Sequence, residues 1–491
     1  MRKLISFFFV SLLFAAASSS AQQYDLVLEG GRVIDPETKL DAVRNVGIEG
    51  GKVVRISTDT LSGKRTIHVA GLVVAPGFID LHEHGQEPAS QRVKAFDGVT
   101  TALEMEIGVP DVAAFLKFKE GHSVIHYGTT ASHVAARALA FGAPIPPETF
   151  APDAAVTELL PKSGPATEDH ATPEKIQKIE DRLRAEITAG ALGIGMGIQY
   201  TPGATRLEVI DMFRLAAELK LPVYTHMRSF GRIEPGSAIE ATEEVIGAAA
   251  ISGAPLHIVH VNSTCLKDAP ECISLVAGAR ARGLDVTTEA YPYVAGMTAI
   301  NSAVFNPGWR ERQGIDYGDL VLPNTGEHLT KERFDKLHNS SKPQPVLIFS
   351  NTQDVVDSVI VNPLVMIASD GAAGHPRNAG TYSRVLAQYV REKKTLTLME
   401  ALRKMTLMPA QMLERSTPEG KRKGRLQEGA DADVVVFDPQ TISDRATFEK
   451  PMEPSVGVQY LLVGGTILID NGKMVEDVFP GRAIIGPRRV Q

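Results

Sequence analysis

The sequence predicts an α/β protein: a (β/α)8 TIM barrel joined to a small β-sandwich built from both chain ends. Three observations carry this expectation. The middle of the 491-residue chain alternates short apolar runs with helical stretches. Both ends instead carry alternating strand patterns punctuated by glycine pairs. One apolar run, Val74-Ala75-Pro76-Gly77-Phe78-Ile79-Asp80-Leu81-His82-Glu83-His84-Gly85, ends in Asp-x-His-x-His. A polar end on an apolar strand is what a parallel barrel places at its active mouth.

The elements follow in chain order. Residues 1–21 read as a secretory signal, with Arg2 and Lys3 leading, Leu4 to Ala17 apolar and Ser19-Ser20-Ala21 as a small-residue cleavage site. A periplasmic or secreted location is therefore expected. No cysteine follows the apolar segment to carry a lipid, and no run is long enough to span a membrane. Residues 22–75 and 423–491 are assigned to the sandwich. In the first part, Asp25 to Asp35 alternates around Gly30-Gly31, and Val46 to Ile56 repeats the pattern around Gly50-Gly51. The second part answers with Asp433 to Asp438 and Val458 to Asn471, the latter turning at Gly464-Gly465.

Residues 76–422 are assigned to the barrel. Its strands are expected near 76–84, 99–107, 123–133, 191–198, 221–226, 255–261, 284–291 and 364–370. Helices are expected at Pro173 to Ala189, capped by Thr172 with Pro173 in the first turn, at Leu207 to Leu219 and at Ala238 to Ile251. Two segments exceed ordinary loop length, about 140–172 and 294–345. The second holds Trp309 and Tyr317 and is expected to form a lid or substrate wall.

Composition narrows the partners. The chain is 43% hydrophobic and 22% charged, with a formal net charge of −7. That balance argues against nucleic acid or an anionic membrane surface and leaves a small-molecule substrate. Cys265 and Cys272 are the only cysteines. A small-loop disulfide and a pair of buried free thiols are both open readings.

The strand ends supply the chemistry. Side chains two apart on a strand share a face, so Asp80, His82 and His84 point the same way. Glu104 and Glu106 do the same on the second strand. Two carboxylates inside a small barrel need a cation to answer them. His226 ends the fifth strand, His260 the sixth and Asp370 the eighth. Imidazoles with carboxylates suit zinc, as one or two divalent ions. Such an ion deprotonates water near neutral pH, and an aspartate beside it can take the proton and hand it on.

These motifs resemble the amidohydrolase superfamily and, within it, the N-acyl-D-amino-acid deacylase group. The resemblance runs from Tyr24 to Arg482. It rests on the stretch from Ala75 to His84 and on Gly98-Val99-Thr100-Thr101, Thr225-His226-Met227-Arg228, Glu289-Ala290-Tyr291-Pro292-Tyr293, Ser369-Asp370-Gly371 with His375-Pro376-Arg377, and Gly429 to Phe437. It implies a distorted barrel. It implies His82 and His84 at one metal position, His226 and His260 at the other, and Asp370 as ligand, general base or both. His133 resembles a third-strand histidine of the group and is expected to polarise substrate.

Two departures from the group stand out. Its deacylases carry a metal-binding cysteine at the end of the second strand. Here Glu104 and Glu106 stand there, and Glu106, nearer the mouth, is the expected ligand. The fourth-strand stretch 191–198 has no lysine, which speaks against the carbamylated bridge of dihydroorotases and hydantoinases. The second departure is Asn262, where the group has a lysine that holds the substrate carboxylate; Asn262 is expected to contact substrate by a hydrogen bond, without the charge. Arg377 with Tyr291 or Tyr293, and Arg228, remain candidates for that task. The expected activity is metal-dependent hydrolysis of an amide C–N bond in an N-acyl amino acid, of D configuration. Hydroxide held by the metal would attack, and Asp370 would serve as general acid and base. A cyclic amide or a dipeptide is the alternative substrate, and a barrel that only binds or scaffolds is the alternative class.

Overall fold

The computed structural model describes residues 23–143, 164–340, 342 and 344–487. The expected signal and most of the long segment 140–172 lie outside the described residues.

The chain opens with β1 (Gln23–Asp35), β2 (Leu40–Glu49), β3 (Lys52–Ser57), β4 (Ser62–His68) and β5 (Val73–Pro76). The barrel begins with β6 (Phe78–Asp80) and continues through β7 (Val99–Val109), β8 (His126–Ser132), β9 (Ile194–Gly197), β10 (Val223–His226), β11 (Leu256–Ile258) and β12 (Val286–Ala290). An insertion carries β13 (Gly296–Ala299), β14 (Leu320–Leu322), β15 (Glu327–His328) and β16 (Pro345–Ile348). The eighth barrel strand is β17 (Val365–Ile367). The chain ends with β18 (Val434–Phe437), β19 (Val458–Val463), β20 (Thr466–Asp470) and β21 (Lys473–Met474).

Both termini build one nine-stranded sheet, ordered β21-β20-β19-β18-β5-β1-β2-β3, with β4 alongside β1. Its halves join where β5 pairs antiparallel with β18, Val74 opposite Val436. Alternation along β18 explains why it is apolar on both faces. Val434 and Val436 enter the core of the terminal sheet with Leu28, Val33 and Val46, whereas Val435 and Phe437 enter the larger core around the barrel. Burying each such side chain contributes roughly 1.5–3 kcal/mol.

The barrel strands run parallel in the order β6-β7-β8-β9-β10-β11-β12-β17. Seven lie inside their expected stretches, and β7 overruns its stretch, 99–107, by two residues. The flanking helices match their start and stop signals: Pro173–Ala189 is capped by Thr172, whose side chain accepts from Lys175 N, and ends at Gly190 with φ of 119°. The seam between β6 and β17 is closed just beyond the strands. There His84 N donates to Gly371 O at 2.7 Å and Gly371 N to His82 O at 3.3 Å.

The opposite mouth is sealed by the C-terminal tail, which leaves the terminal sheet. Gly481 N donates to Ser123 O, Ile484 N to Tyr127 O and Gly486 N to Gly190 O. Ile484 packs among the barrel-interior side chains Leu103, Leu192, Tyr224 and Val259. A Cβ at Gly128 would sit 2.7 Å from Ile484 O, so this crossing needs glycine there.

The insertion makes its own antiparallel sheet, β13-β16-β14-β15. Phe305, Trp309 and Phe334 form its aromatic core, which reaches the barrel residues Ile107, Tyr200 and Phe230. Trp309 stacks on Phe334 with ring centroids 5.4 Å apart. Cys265 and Cys272 are buried free thiols.

Candidate metal centre and pocket

Two groups of ligand atoms converge at the strand ends: His82, His84, Glu106 and Asp370, and Glu106, His226 and His260. Glu106 belongs to both, each time with a different oxygen. Its Oε2 lies 3.2 Å from His82 Nε2 and 3.1 Å from His84 Nε2. Its Oε1 lies 2.7 Å from His226 Nδ1 and 2.9 Å from His260 Nε2. Asp370 Oδ1 completes the first group, 3.4 Å from His82 Nε2 and 3.3 Å from His84 Nε2. His260 and Asp370 hold φ of 30° and 51°, a left-handed backbone uncommon outside glycine that cores tolerate mainly at working sites.

The rings are oriented from behind. Glu289 Oε1 lies 2.6 Å from His82 Nδ1, and its other oxygen holds His257 Nε2 at 3.0 Å. Glu104 Oε2 lies 2.6 Å from His84 Nδ1, while its Oε1 accepts from the backbone N–H of Ile107. Gln199 Oε1 lies 2.7 Å from His226 Nε2. A carboxylate or amide oxygen on one ring nitrogen assigns the proton there and leaves the other nitrogen's lone pair free. That assignment turns His82 Nε2, His84 Nε2 and His226 Nδ1 into ligand atoms facing carboxylate oxygens.

This donor set fits a divalent cation. Lone pairs and carboxylate oxygens at about 3 Å repel unless a positive charge sits between them. Burial pushes the His82 pKa down, but Asp370 and Glu106 hold it well above the usual histidine value. At His84, Glu104 overcomes burial in the same way. Burial pushes the Glu106 carboxyl up, yet His82 and His226 hold it well below the usual carboxylate range. Glu289, also pushed up by burial, is brought down to about 2 by His257 and His82.

The site opens into a cavity of about 350 Å³. Barrel residues Ile107, Tyr200 and Phe230 line one side; Met297, Val304 and Ile348 of the insertion line the other. The insertion expected near 294–345 thus supplies a wall of the pocket. Among the described residues, Arg377 is the only lysine or arginine in the lining. Its Nη1 lies 2.8 Å from Asp370 Oδ2, and its guanidinium rests 4.6 Å from the centroid of the Tyr291 ring.

Four expected substrate contacts fall elsewhere. His133 does not reach the cavity. It opens the helix His133–Ala140, and that turn swings its ring into the core, where Nε2 meets Glu208 at 3.0 Å beside Arg137. Arg228 is spent on a two-pronged bond to Glu244 and on Pro202 O. Asn262 turns its Nδ2 to Tyr291 O, because the chain enters a short helix directly after His260. Tyr291 is buried beneath Arg377 and does not line the cavity.

Other roles emerge from the structure. Glu104 is a partner of His84, not a member of either ligand group. Gln199 follows the fourth strand, one residue beyond the stretch 191–198. Glu289 and His257 were visible as polar residues on consecutive apolar strands, a signal that marks inward-facing groups. Gln313 lines the cavity with its Nε2 buried and without a hydrogen-bond partner.

Comparison with known proteins agrees with this geometry. A sequence profile of the Amidohydrolase family matches residues 257–469. N-acyl-D-glutamate deacylase of Alcaligenes xylosoxydans xylosoxydans is 30% identical over 475 residues, 90% of this chain and 93% of that protein. D-aminoacylase of the same organism is 29% identical over 483 residues, 91% of this chain and 95% of that protein. A solved N-acyl-D-glutamate deacylase from Bordetella bronchiseptica, complexed with zinc and a phosphonate mimic of the tetrahedral intermediate, superposes with a TM-score of 0.78. It is 25% identical and covers 95% of this chain and 100% of that one. With that identity sustained along the chain, and with clustered metal-ligand groups at the mouth of a parallel barrel, this protein belongs to the amidohydrolase family, on its D-aminoacylase-like branch.

Proposed function

We propose that this protein is a zinc-dependent deacylase that releases D-amino acids from their N-acyl derivatives. The observation that carries the reading is Glu106, whose two oxygens join both histidine pairs at the base of a cavity bounded by Asp370. A divalent cation bound there supplies Lewis-acid polarisation of the amide carbonyl and eases ionisation of water.

The protein's own residues do the rest. Burial pushes the Asp370 carboxyl up, but Arg377 and His82 hold it well below the usual range, so it is anionic at neutral pH. Its Oδ1 accepts the proton of the attacking water and returns it to the leaving nitrogen. Oδ2 stays on Arg377, which fixes the carboxylate's orientation. Arg377 Nε is buried without a hydrogen-bond partner among the described residues, and the guanidinium supplies the cationic anchor for the substrate carboxylate, a task Asn262 cannot take without charge. The apolar lining from Tyr200, Phe230 and Val304 receives the apolar part of the substrate and excludes water. The fourth-strand stretch 191–198 has no lysine for a carbamylated bridge, which favours an open-chain amide over a cyclic one.

The test is a panel of N-acetyl-D- and N-acetyl-L-amino acids, dipeptides and cyclic amides, offered to zinc-reconstituted protein. Turnover confined to N-acyl-D-amino acids supports the proposal; turnover of cyclic amides alone refutes it. The basic-then-apolar segment 1–21 supports export to the periplasm or medium. N-terminal sequencing of protein from cell fractions tests that, and a cytosolic chain starting at Met1 would refute it.

A further inference from the structure

Behind the histidine pair lies a buried ion cluster that the chemistry above does not use. Lys94, on the helix Pro88–Phe96, is fully buried. Its Nζ lies 2.6 Å from Asp80 Oδ2, 2.5 Å from Glu83 Oε2 and 2.5 Å from Ser369 Oγ. An ammonium has three protons, and here each has an acceptor. Those acceptors come from two chain segments that no regular strand ladder joins: Asp80 and Glu83 extend from β6, and Ser369 follows β17.

The cluster reaches the ligands through the backbone. Asp80 Oδ1 accepts from His82 N at 3.3 Å and from Ser369 N at 3.0 Å. Glu83 Oε1 accepts from Gly85 N at 2.7 Å. Ser369 Oγ lies 3.2 Å from His82 O. His82, His84 and Asp370 each adjoin a residue that this cluster binds. The His226 and His260 strands make no contact with it among these bonds.

Stability alone does not explain such an arrangement. Removing a lysine and two carboxylates from water carries a desolvation penalty that an apolar cluster of equal volume avoids. What the ions add is direction. A tripod of short charge-assisted bonds sets the distance between two segments more sharply than apolar packing does.

We infer that Lys94 is a positioning residue that sets the spacing of Asp370 against His82 and His84 across the barrel seam, and so tunes the first metal position without the second. This rests on the metal-hydrolase reading above.

The test is cobalt(II) titration of apoprotein, following the visible d–d absorption, for the wild type, Lys94→Met and Ser369→Ala. His226→Asn identifies which transition belongs to the second position. In Lys94→Met the first position is expected to weaken by about ten- to a hundredfold with an altered spectrum, as outer partners of metal ligands usually do, while the second stays within about twofold. With zinc, kcat falls by a similar factor and KM is unchanged. Ser369→Ala loses one leg of the tripod and is expected to show the same selectivity at a few-fold, with a near-normal Tm; it decides the matter if Lys94→Met does not fold. Unchanged cobalt constants in folded variants, or equal weakening at both positions, would overturn the inference. A wild type that takes up no cobalt would instead sink the metal-hydrolase reading itself, and this inference with it.

Discussion

Asp370 and Arg377 form a buried ion pair, Nη1 to Oδ2 2.8 Å, directly beside the ligand atoms. The pair explains how a carboxylate stays ionised in a buried site and faces the histidines with its free oxygen. Arg377→Met should therefore move the acid limb of the kcat/KM profile to higher pH, because Asp370 loses the charge that holds its pKa down. KM for N-acyl amino acids should rise as well. A pH–rate profile of the variant checks both, and an acid limb left in place would contradict the pairing's role.

Glu106 and Glu104 are two residues apart but should behave differently. Glu106→Ala removes a ligand oxygen from both groups. Metal analysis after dialysis should find neither position filled, and activity should vanish. Glu104→Gln only loosens His84, so metal affinity or activity should fall by about ten- to a hundredfold. Equal losses in the two variants would mean that Glu104 is a ligand too.

Gln313 presents an unpartnered buried amide to the cavity. If its Nε2 donates to substrate, Gln313→Leu should raise KM by about two- to tenfold, the worth of one neutral hydrogen bond, with kcat little changed. Steady-state kinetics on two substrates differing in side-chain polarity would show it.

Lys404 gives the fold a pH signature unrelated to the site. Its ammonium is buried and donates to the carbonyls of Val365 and Asn362. Burial pushes its pKa from 10.5 down to about 7. Between those values the unfolded chain binds the extra proton, so stability should rise with pH from about 7 to about 10.5. The slope approaches about 1.4 kcal/mol per pH unit where the folded lysine is neutral and the unfolded one charged. Lys404→Met should flatten that slope. Urea unfolding at pH 7, 8 and 9, at one metal loading, measures it.

The barrel strands and the terminal sheet were legible because their signals are local. Period-two alternation, glycine-pair turns and the Thr172-Pro173 cap each act over a few residues. His82 and His84 were legible for the same reason. What could not be read depends on where the chain turns next. His133, Asn262 and Tyr291 all sit at or beyond a strand's C-terminal end, where one helical turn decides whether a side chain faces cavity or core. The choice between Glu104 and Glu106 hangs on the irregular register of β7 against β8 after Glu104. Lys94 was invisible for another reason. Its partners lie 14 and 275 residues away, and nothing in a surface-like helix sequence marks a lysine that points inward.

The tail that underlies the barrel also governs when this enzyme can exist. Residues 481–486 furnish the last apolar plug of the floor, and β18 must arrive before β5 has its second neighbour. A nascent chain therefore cannot finish its catalytic barrel until residues 481–486 have emerged. A chain cut before residue 481 leaves the barrel floor open around Leu103, Leu192 and Tyr224, a ready substrate for proteolysis rather than a shortened catalyst.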